Sequence, residues 1–353
     1  MMLKPVSQSS TISHMSHDFH HVAVIGAGAW GTTLARHLCL KGMQVRLWAH
    51  EAEVVEQIGR RHENATFLPG IALPSSLAVT GSLDEAVHQA DFILFAVPSH
   101  AARSVLTTLA SVLSHPVPLV SATKGIEEDT LKLMSETMAD TLPADMRQSL
   151  AFLSGPSFAL EVCQGQPTAI VLAGVDRALV RNLQALMLTP AFRIYAGSDV
   201  IGVQLCGALK NVMAVAAGVV DGLRLGHNAR AALITRGLAE MIRLGNAMGA
   251  DVRTFYGLSG IGDLVLTCTG PLSRNHTVGV RLGRGERLKD ILKETAAVAE
   301  GVRTSRAAAG LATRYQVDMP IVKEVCCVVF EGKPPRQAAG ELMERAAKEE
   351  GEG

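Results

Sequence analysis

A β-branched run at residues 21–27, HVAVIGA, carries straight into Gly26-Ala27-Gly28-Ala29-Trp30-Gly31, and a helical pattern follows over residues 32–42. No other feature restricts the possible folds as strongly. A strand, a glycine turn and a helix in this order open a βαβ unit that binds dinucleotides. Gly26 permits the tight turn, Gly28 lets a pyrophosphate approach the backbone, and Gly31 allows close helix–sheet packing. The helix N-terminus then offers unpaired N–H groups to phosphates.

A second strand is predicted at residues 45–48, and near-continuous apolar strands at 91–97 (DFILFAV), 118–122 and 151–153. Apolar strands separated by helical stretches argue for a parallel sheet covered on both faces. After residue 200 strand signals fade and Ala/Leu/Gly-rich helical patterns take over. The predicted class is α/β: an N-terminal Rossmann doubly wound sheet followed by an all-α C-terminal domain. The expected boundaries are a disordered leader over 1–20, a dinucleotide-binding domain over 21–198, a helical substrate and catalytic domain over 199–345, and a frayed tail over 346–353.

Bulk properties narrow the function. Formal net charge is zero and aromatics are 4%. Neither an electrostatic pull toward nucleic acid nor a base-stacking platform is expected. Six cysteines lie without a C-x-x-C pair or a Cys/His cluster at metal spacing, so no metal site is expected. Free thiols in a reducing cytoplasm are the simpler reading. His14, His17, His20 and His21 could hold a metal, but a polar leader without fixed structure accounts for them. No segment reads as apolar for long enough to enter a bilayer.

Residues 205–220, LCGALKNVMAVAAGVV, read as an apolar helix carrying Lys210 and Asn211 in its middle. An ammonium in such a setting finds a partner or loses its proton, and a lysine of that kind serves as a general acid near neutral pH. Three loops follow strands on one edge of the sheet: Val97-Pro98-Ser99-His100, Ser121-Ala122-Thr123-Lys124-Gly125 and Ser154-Gly155-Pro156-Ser157-Phe158. Ligands of open α/β sheets bind at that edge. Asp263 lies between glycines and an apolar run, which also suits a cap or turn. Ser273-Arg274-Asn275 offers a hydroxyl, a guanidinium and an amide, and arginine suits phosphate, although a solvated loop reads the same way. Where an acid is expected to hold the adenosine ribose, the chain has His50, with Arg46 four residues earlier. A 2′-phosphate is tolerable there, so NADPH is expected to serve at least as well as NADH. Alternatively, His50 is an ordinary surface residue.

The motifs GAGAWG, ATKG (122–125), SGPSFA (154–159), GALKNVMAVAAG (207–218), NARAALITRGLAEMIRLG (228–245), GLSGIGDLVLTCTG (257–270) and SRN (273–275) occur in order. With them the chain resembles the bacterial-type NAD(P)-dependent glycerol-3-phosphate dehydrogenases from about His21 to residue 340. The resemblance implies reversible reduction of dihydroxyacetone phosphate to sn-glycerol 3-phosphate, feeding glycerophospholipid synthesis, by a cytoplasmic homodimer. It implies Lys210 as general acid/base, supported by Asp263. Lys124, Gly155, Ser157, Asn211, Ser273, Arg274 and Asn275 join them around the substrate. Ala29, Trp30, His50, Ala159, Val298 and Glu300, with Gly26, Gly28, Gly31, Lys124 and Arg274, are implied to contact NADPH or NADH. Gln204 departs from the glutamate of many members. A hydroxyacid dehydrogenase sharing this layout and a non-catalytic NADPH-binding sensor are the other readings. The sensor has no need of Lys210, Asp263 and Arg274 together.

Overall fold

The computed structural model describes residues 19–294, 299–347 and 349. Among the described residues ten strands occur in chain order: β1 (His21–Ile25), β2 (Gln44–Trp48), β3 (Glu63–Asn64), β4 (Leu68–Ala72), β5 (Ala78–Thr80), β6 (Phe92–Phe95), β7 (Leu119–Ser121), β8 (Leu150–Ser154), β9 (Thr168–Gly174) and β10 (Phe192–Gly197). Strands β3 and β4 form a small antiparallel pair, and the other eight make one sheet in the order β10-β9-β8-β7-β6-β1-β2-β5. The order reverses at β1, where Val24 pairs with Leu47 of β2 on one side and Leu94 of β6 on the other. Phe92, Ile93, Leu94 and Phe95 are all fully buried because apolar layers cover both faces of the sheet.

One part of the sheet differs from the parallel arrangement expected from the sequence. β9 runs antiparallel to β8, and β10 then runs parallel to β9. The short helix Ala159–Cys163 that follows β8 packs on the helix Ala29–Leu40. The connection therefore stays at the carboxyl edge of the sheet, and the chain turns back from that edge.

The expected disordered leader also needs shortening at its C-terminal end. Phe19 is buried with its ring edge-on to Phe92 at 5.4 Å, and the backbone N–H groups of His20 and His21 donate to Asp91 Oδ2 at 2.6 and 2.7 Å. Residues 1–18 lie outside the described residues, as does Val298. All six cysteines are free.

Beyond β10 the described chain is helical. Its centre is the helix Val200–Gly222, capped by Asp199, whose carboxylate accepts the Gly202 N–H at 2.8 Å. Contrary to the sequence reading, this helix is long and apolar enough to cross a membrane, but 89% of its apolar window is buried inside the protein. It is the core of the helical half, surrounded by other helices, and this explains its apolarity on every side. The helix Arg274–Gly283 lies against it with backbone on backbone at four glycines. A Cβ placed on Gly218 would sit 2.1 Å from the His276 carbonyl oxygen, and one on Gly279 would sit 2.0 Å from that of Val215. Gly222 and Gly283 repeat the contact one turn further along both helices.

Candidate active site

At the carboxyl end of β1 the chain turns through Gly26, whose φ of +110° is a left-handed backbone that glycine adopts without strain. A Cβ on Gly31 would fall 1.9 Å from the Gly26 carbonyl oxygen, so only glycine lets the helix Ala29–Leu40 start this close to the strand. Apart from its chain neighbours, no atom of the described residues lies within 4 Å of where a Cβ on Gly28 would be. No side chain caps that helix and its first turn holds no acidic residue. Its free N–H groups and positive dipole end therefore face an open cradle, the geometry a pyrophosphate requires. Ala29 and Trp30, both half-buried, form the first helical turn. The residues present fit a dinucleotide.

At the same carboxyl edge of the sheet, where the loop after β7 meets the helical half, two lysines share one carboxylate. Asp263, fully buried, begins the helix Asp263–Thr269. Its Oδ1 accepts Lys210 Nζ at 2.5 Å and its Oδ2 accepts Lys124 Nζ at 2.9 Å. Lys210 comes from the middle of Val200–Gly222, Lys124 from the loop after β7, and Gly207 brings the helix backbone against the Lys124 side chain. Lys210 also donates to Thr267 Oγ1 at 3.0 Å, and Thr267 in turn donates to the Asp263 carbonyl at 2.6 Å. Burial, with Lys124 as a second cation nearby, brings Lys210 from its usual 10.5 down to about 7 despite the Asp263 carboxylate. Burial would push the Asp263 carboxyl up, but the two ammonium groups outweigh it and hold it below the usual carboxylate range. The group most available to exchange a proton at neutral pH is therefore Lys210.

The β8 loop closes one side. The Gly155 carbonyl accepts both Lys124 Nζ at 3.3 Å and Ser157 Oγ at 3.0 Å, and Ala159 starts the next helix with its carbonyl 3.4 Å from Thr33 Oγ1. Glu300 closes another side from the helix Glu300–Arg314: its carboxylate accepts the Ser99 N–H at 3.2 Å and the Ser99 hydroxyl at 2.7 Å. Burial pushes the Glu300 carboxyl up. The next residue, Gly301, donates its N–H to Asn275 Oδ1 at 2.9 Å, and a Cβ on it would lie 2.3 Å from the Asn211 carbonyl oxygen. Asn211, Asn275 and Glu300 thus meet where the two halves of the molecule touch. Ser273 caps Arg274–Gly283 by accepting the His276 N–H at 3.2 Å. Arg274, exposed in that first turn, makes no hydrogen bond or ion pair among the described residues.

His50 is exposed past the end of β2, with its ring 6.0 Å from that of Trp48. Arg46 does not join it. Its guanidinium Nη1 donates to the carbonyls of Glu85 and His88 at the end of the helix Leu83–Val87, at 2.5 and 3.2 Å. The sequence reading missed Thr267. Its only signal was its position four residues after Asp263, on the same face of a helix.

Two sequence families match consecutive parts of the chain: NAD-dependent glycerol-3-phosphate dehydrogenase N-terminus over residues 21–180 and its C-terminus over residues 199–340. A glycerol-3-phosphate dehydrogenase [NAD(P)+] of Geobacter sulfurreducens is 55% identical over 93% of this chain and 98% of its own length. The crystal structure of glycerol-3-phosphate dehydrogenase from Coxiella burnetii superposes with a TM-score of 0.89 at 38% identity, covering 93% of this chain and 99% of that one. The enzyme of Saccharomyces cerevisiae gives 0.78 at 29% identity, with the same coverage. Since both halves are matched in order and close relatives align along nearly the whole chain, this chain belongs to the NAD-dependent glycerol-3-phosphate dehydrogenase family.

Proposed function

We propose that the protein reversibly reduces dihydroxyacetone phosphate to sn-glycerol 3-phosphate with NADPH or NADH, supplying the backbone of glycerophospholipids. The observation that carries this reading is the buried Lys210–Asp263–Lys124 cluster at the same sheet edge as the dinucleotide cradle. The bound nicotinamide supplies the hydride that the carbonyl carbon receives, or takes it back in the reverse direction. Lys210 Nζ gives a proton to the carbonyl oxygen as negative charge develops on it, and in reverse the neutral amine removes that proton. Asp263 and Thr267 hold the Lys210 head group in place, so the donor is oriented before substrate arrives. Lys124 adds positive charge beside the developing alkoxide. Ser273, Arg274 and Asn275 hold the phosphate, and the unpaired Arg274 guanidinium provides the planar fork of donors that phosphate takes. Gly155, Ser157 and Asn211 border the same space. Ala29, Trp30, His50, Ala159 and Glu300 border the cofactor. A cytoplasmic homodimer is part of the same proposal.

The test is nicotinamide absorbance with dihydroxyacetone phosphate, using NADH and NADPH in parallel, alongside a panel of 2-oxo acids. Oxidation of at least one nucleotide that depends on dihydroxyacetone phosphate is expected. Turnover of an oxo acid in its place would overturn the assignment.

A further inference from the structure

Three charged or polar groups stand close to the proposed phosphate grip without belonging to it. Asp221 lies in the last turn of Val200–Gly222, and its Oδ2 accepts His276 Nε2 at 2.8 Å and Arg230 Nη1 at 2.9 Å. Arg230 Nη2 lies 2.9 Å from His227 Nδ1. All three partners are largely withdrawn from water, with side chains 24% (Asp221), 15% (His276) and 25% (Arg230) exposed. Arg230 belongs to the NARAALITRG stretch, which the proposed reaction leaves without a role.

The helix dipoles do not explain the placement. An aspartate in a last turn and an arginine early in the helix Gly226–Ala247 each oppose the dipole of their own helix. They are stabilised across helices, by one another and by His276. What they fix is the first turn of Arg274–Gly283. That turn is held at three points: Ser273 by its cap, Asn275 through Gly301, and His276 through Asp221. Arg274 sits among these three with its own side chain uncommitted.

We propose that Asp221 is a positioning residue for the substrate phosphate: through His276, braced by Arg230, it sets the direction from which Arg274 leaves its helix. The proposal rests on the dehydrogenase reading. It separates Asp221 from the proton donor, because Lys210 is held by Asp263 and Thr267 and shares no hydrogen-bond or ion-pair partner with Asp221 among the described residues.

The test uses the full-length enzyme with dihydroxyacetone phosphate and, separately, unphosphorylated dihydroxyacetone. Wild type must turn over the phosphorylated substrate. If it does not, the dehydrogenase reading falls, and that result is distinct from failure of the present proposal. Asp221→Ala is expected to raise KM for dihydroxyacetone phosphate about tenfold, the scale of one lost hydrogen bond to a charged group. It should leave kcat, NAD(P)H affinity and the slow turnover of dihydroxyacetone unchanged. His276→Ala should reproduce the loss, and the double variant should be no worse than either single one, because the two act as a unit. Asp221→Asn keeps an acceptor for His276 without the charge for Arg230, so it should fall between wild type and alanine, and it provides the readout if the alanine variant does not fold. Equal losses toward both substrates would reduce Asp221 to a packing residue. Unchanged KM in Asp221→Ala or, where only that variant folds, in Asp221→Asn would also overturn the proposal.

Discussion

If Lys210 exchanges the proton, the two directions of the reaction depend on pH in opposite senses. Reduction needs the ammonium, so its kcat should fall with rising pH above the Lys210 midpoint, which burial has brought down to about 7. Oxidation needs the free amine, so its kcat should rise with pH up to the same midpoint. The size of the Asp263 contribution follows from the geometry. A unit charge at about 4 Å is worth roughly 4 kcal/mol at an effective dielectric near 20, on the order of three pKa units. Asp263→Asn removes that charge from a carboxylate 2.5 Å from the amine, so the reduction limb should move at least ~1 unit toward acid. Lys210→Ala should lower kcat by at least ~100-fold while keeping the fold and cofactor binding. Lys210→Arg should fail as well, because a guanidinium keeps its charge and hardly gives up its proton. The assay is steady-state nicotinamide absorbance in both directions from about pH 6 to 9, with solvent-isotope controls to show that proton transfer contributes to the rate. A kcat in the arginine variant near wild type, or a flat pH profile in both directions, would refute the assignment.

Removing the guanidinium in Arg274→Ala should weaken binding of dihydroxyacetone phosphate by ~1.5–3 kcal/mol, and substrate titrations in which KM does not move would take Arg274 out of the site. His50→Asp should favour NADH over NADPH by about tenfold relative to wild type, since a carboxylate repels the 2′-phosphate; the ratio of kcat/KM for the two nucleotides decides it. Gly279→Ala should destabilise the protein by at least ~1–3 kcal/mol in chemical denaturation, because its methyl group falls 2.0 Å from the Val215 carbonyl oxygen. A denaturation midpoint equal to wild type would show that the two helices can separate.

The α/β class and the helical second half were legible because their signals are local. A strand, glycine turn and helix are contiguous in HVAVIGAGAWG, and a lysine inside an apolar helix stands out without knowledge of its neighbours. Features that depend on distant partners were not legible. The reversed direction of β9 follows from how the short helix Ala159–Cys163 docks, and TAIVLAG looks the same in either direction. Arg46 reads as a free cation until the carbonyls of Glu85 and His88 are seen to occupy it. Phe19 looked like part of a polar leader, yet the ring of Phe92, 73 positions later in the chain, anchors it. The apolarity of Val200–Gly222 and its two glycines near the C-terminal end make sense only once the enclosing helices are in place.

The direct backbone contact between Val200–Gly222 and Arg274–Gly283 has a consequence for substrate size. Side chains in an interface can change rotamer and absorb a misfit, but a peptide group resting on a peptide group has almost no compliance. The distance from residue 210 to residues 273–275 is therefore nearly constant, whatever the sheet and its cofactor do. With the substrate placed as proposed, its carbonyl at Lys210 and its phosphate at residues 273–275, it must bridge that distance at its own natural length. A homologue one carbon longer has to buckle or release one end. The helical half works as a fixed caliper, and four glycines form its pivot.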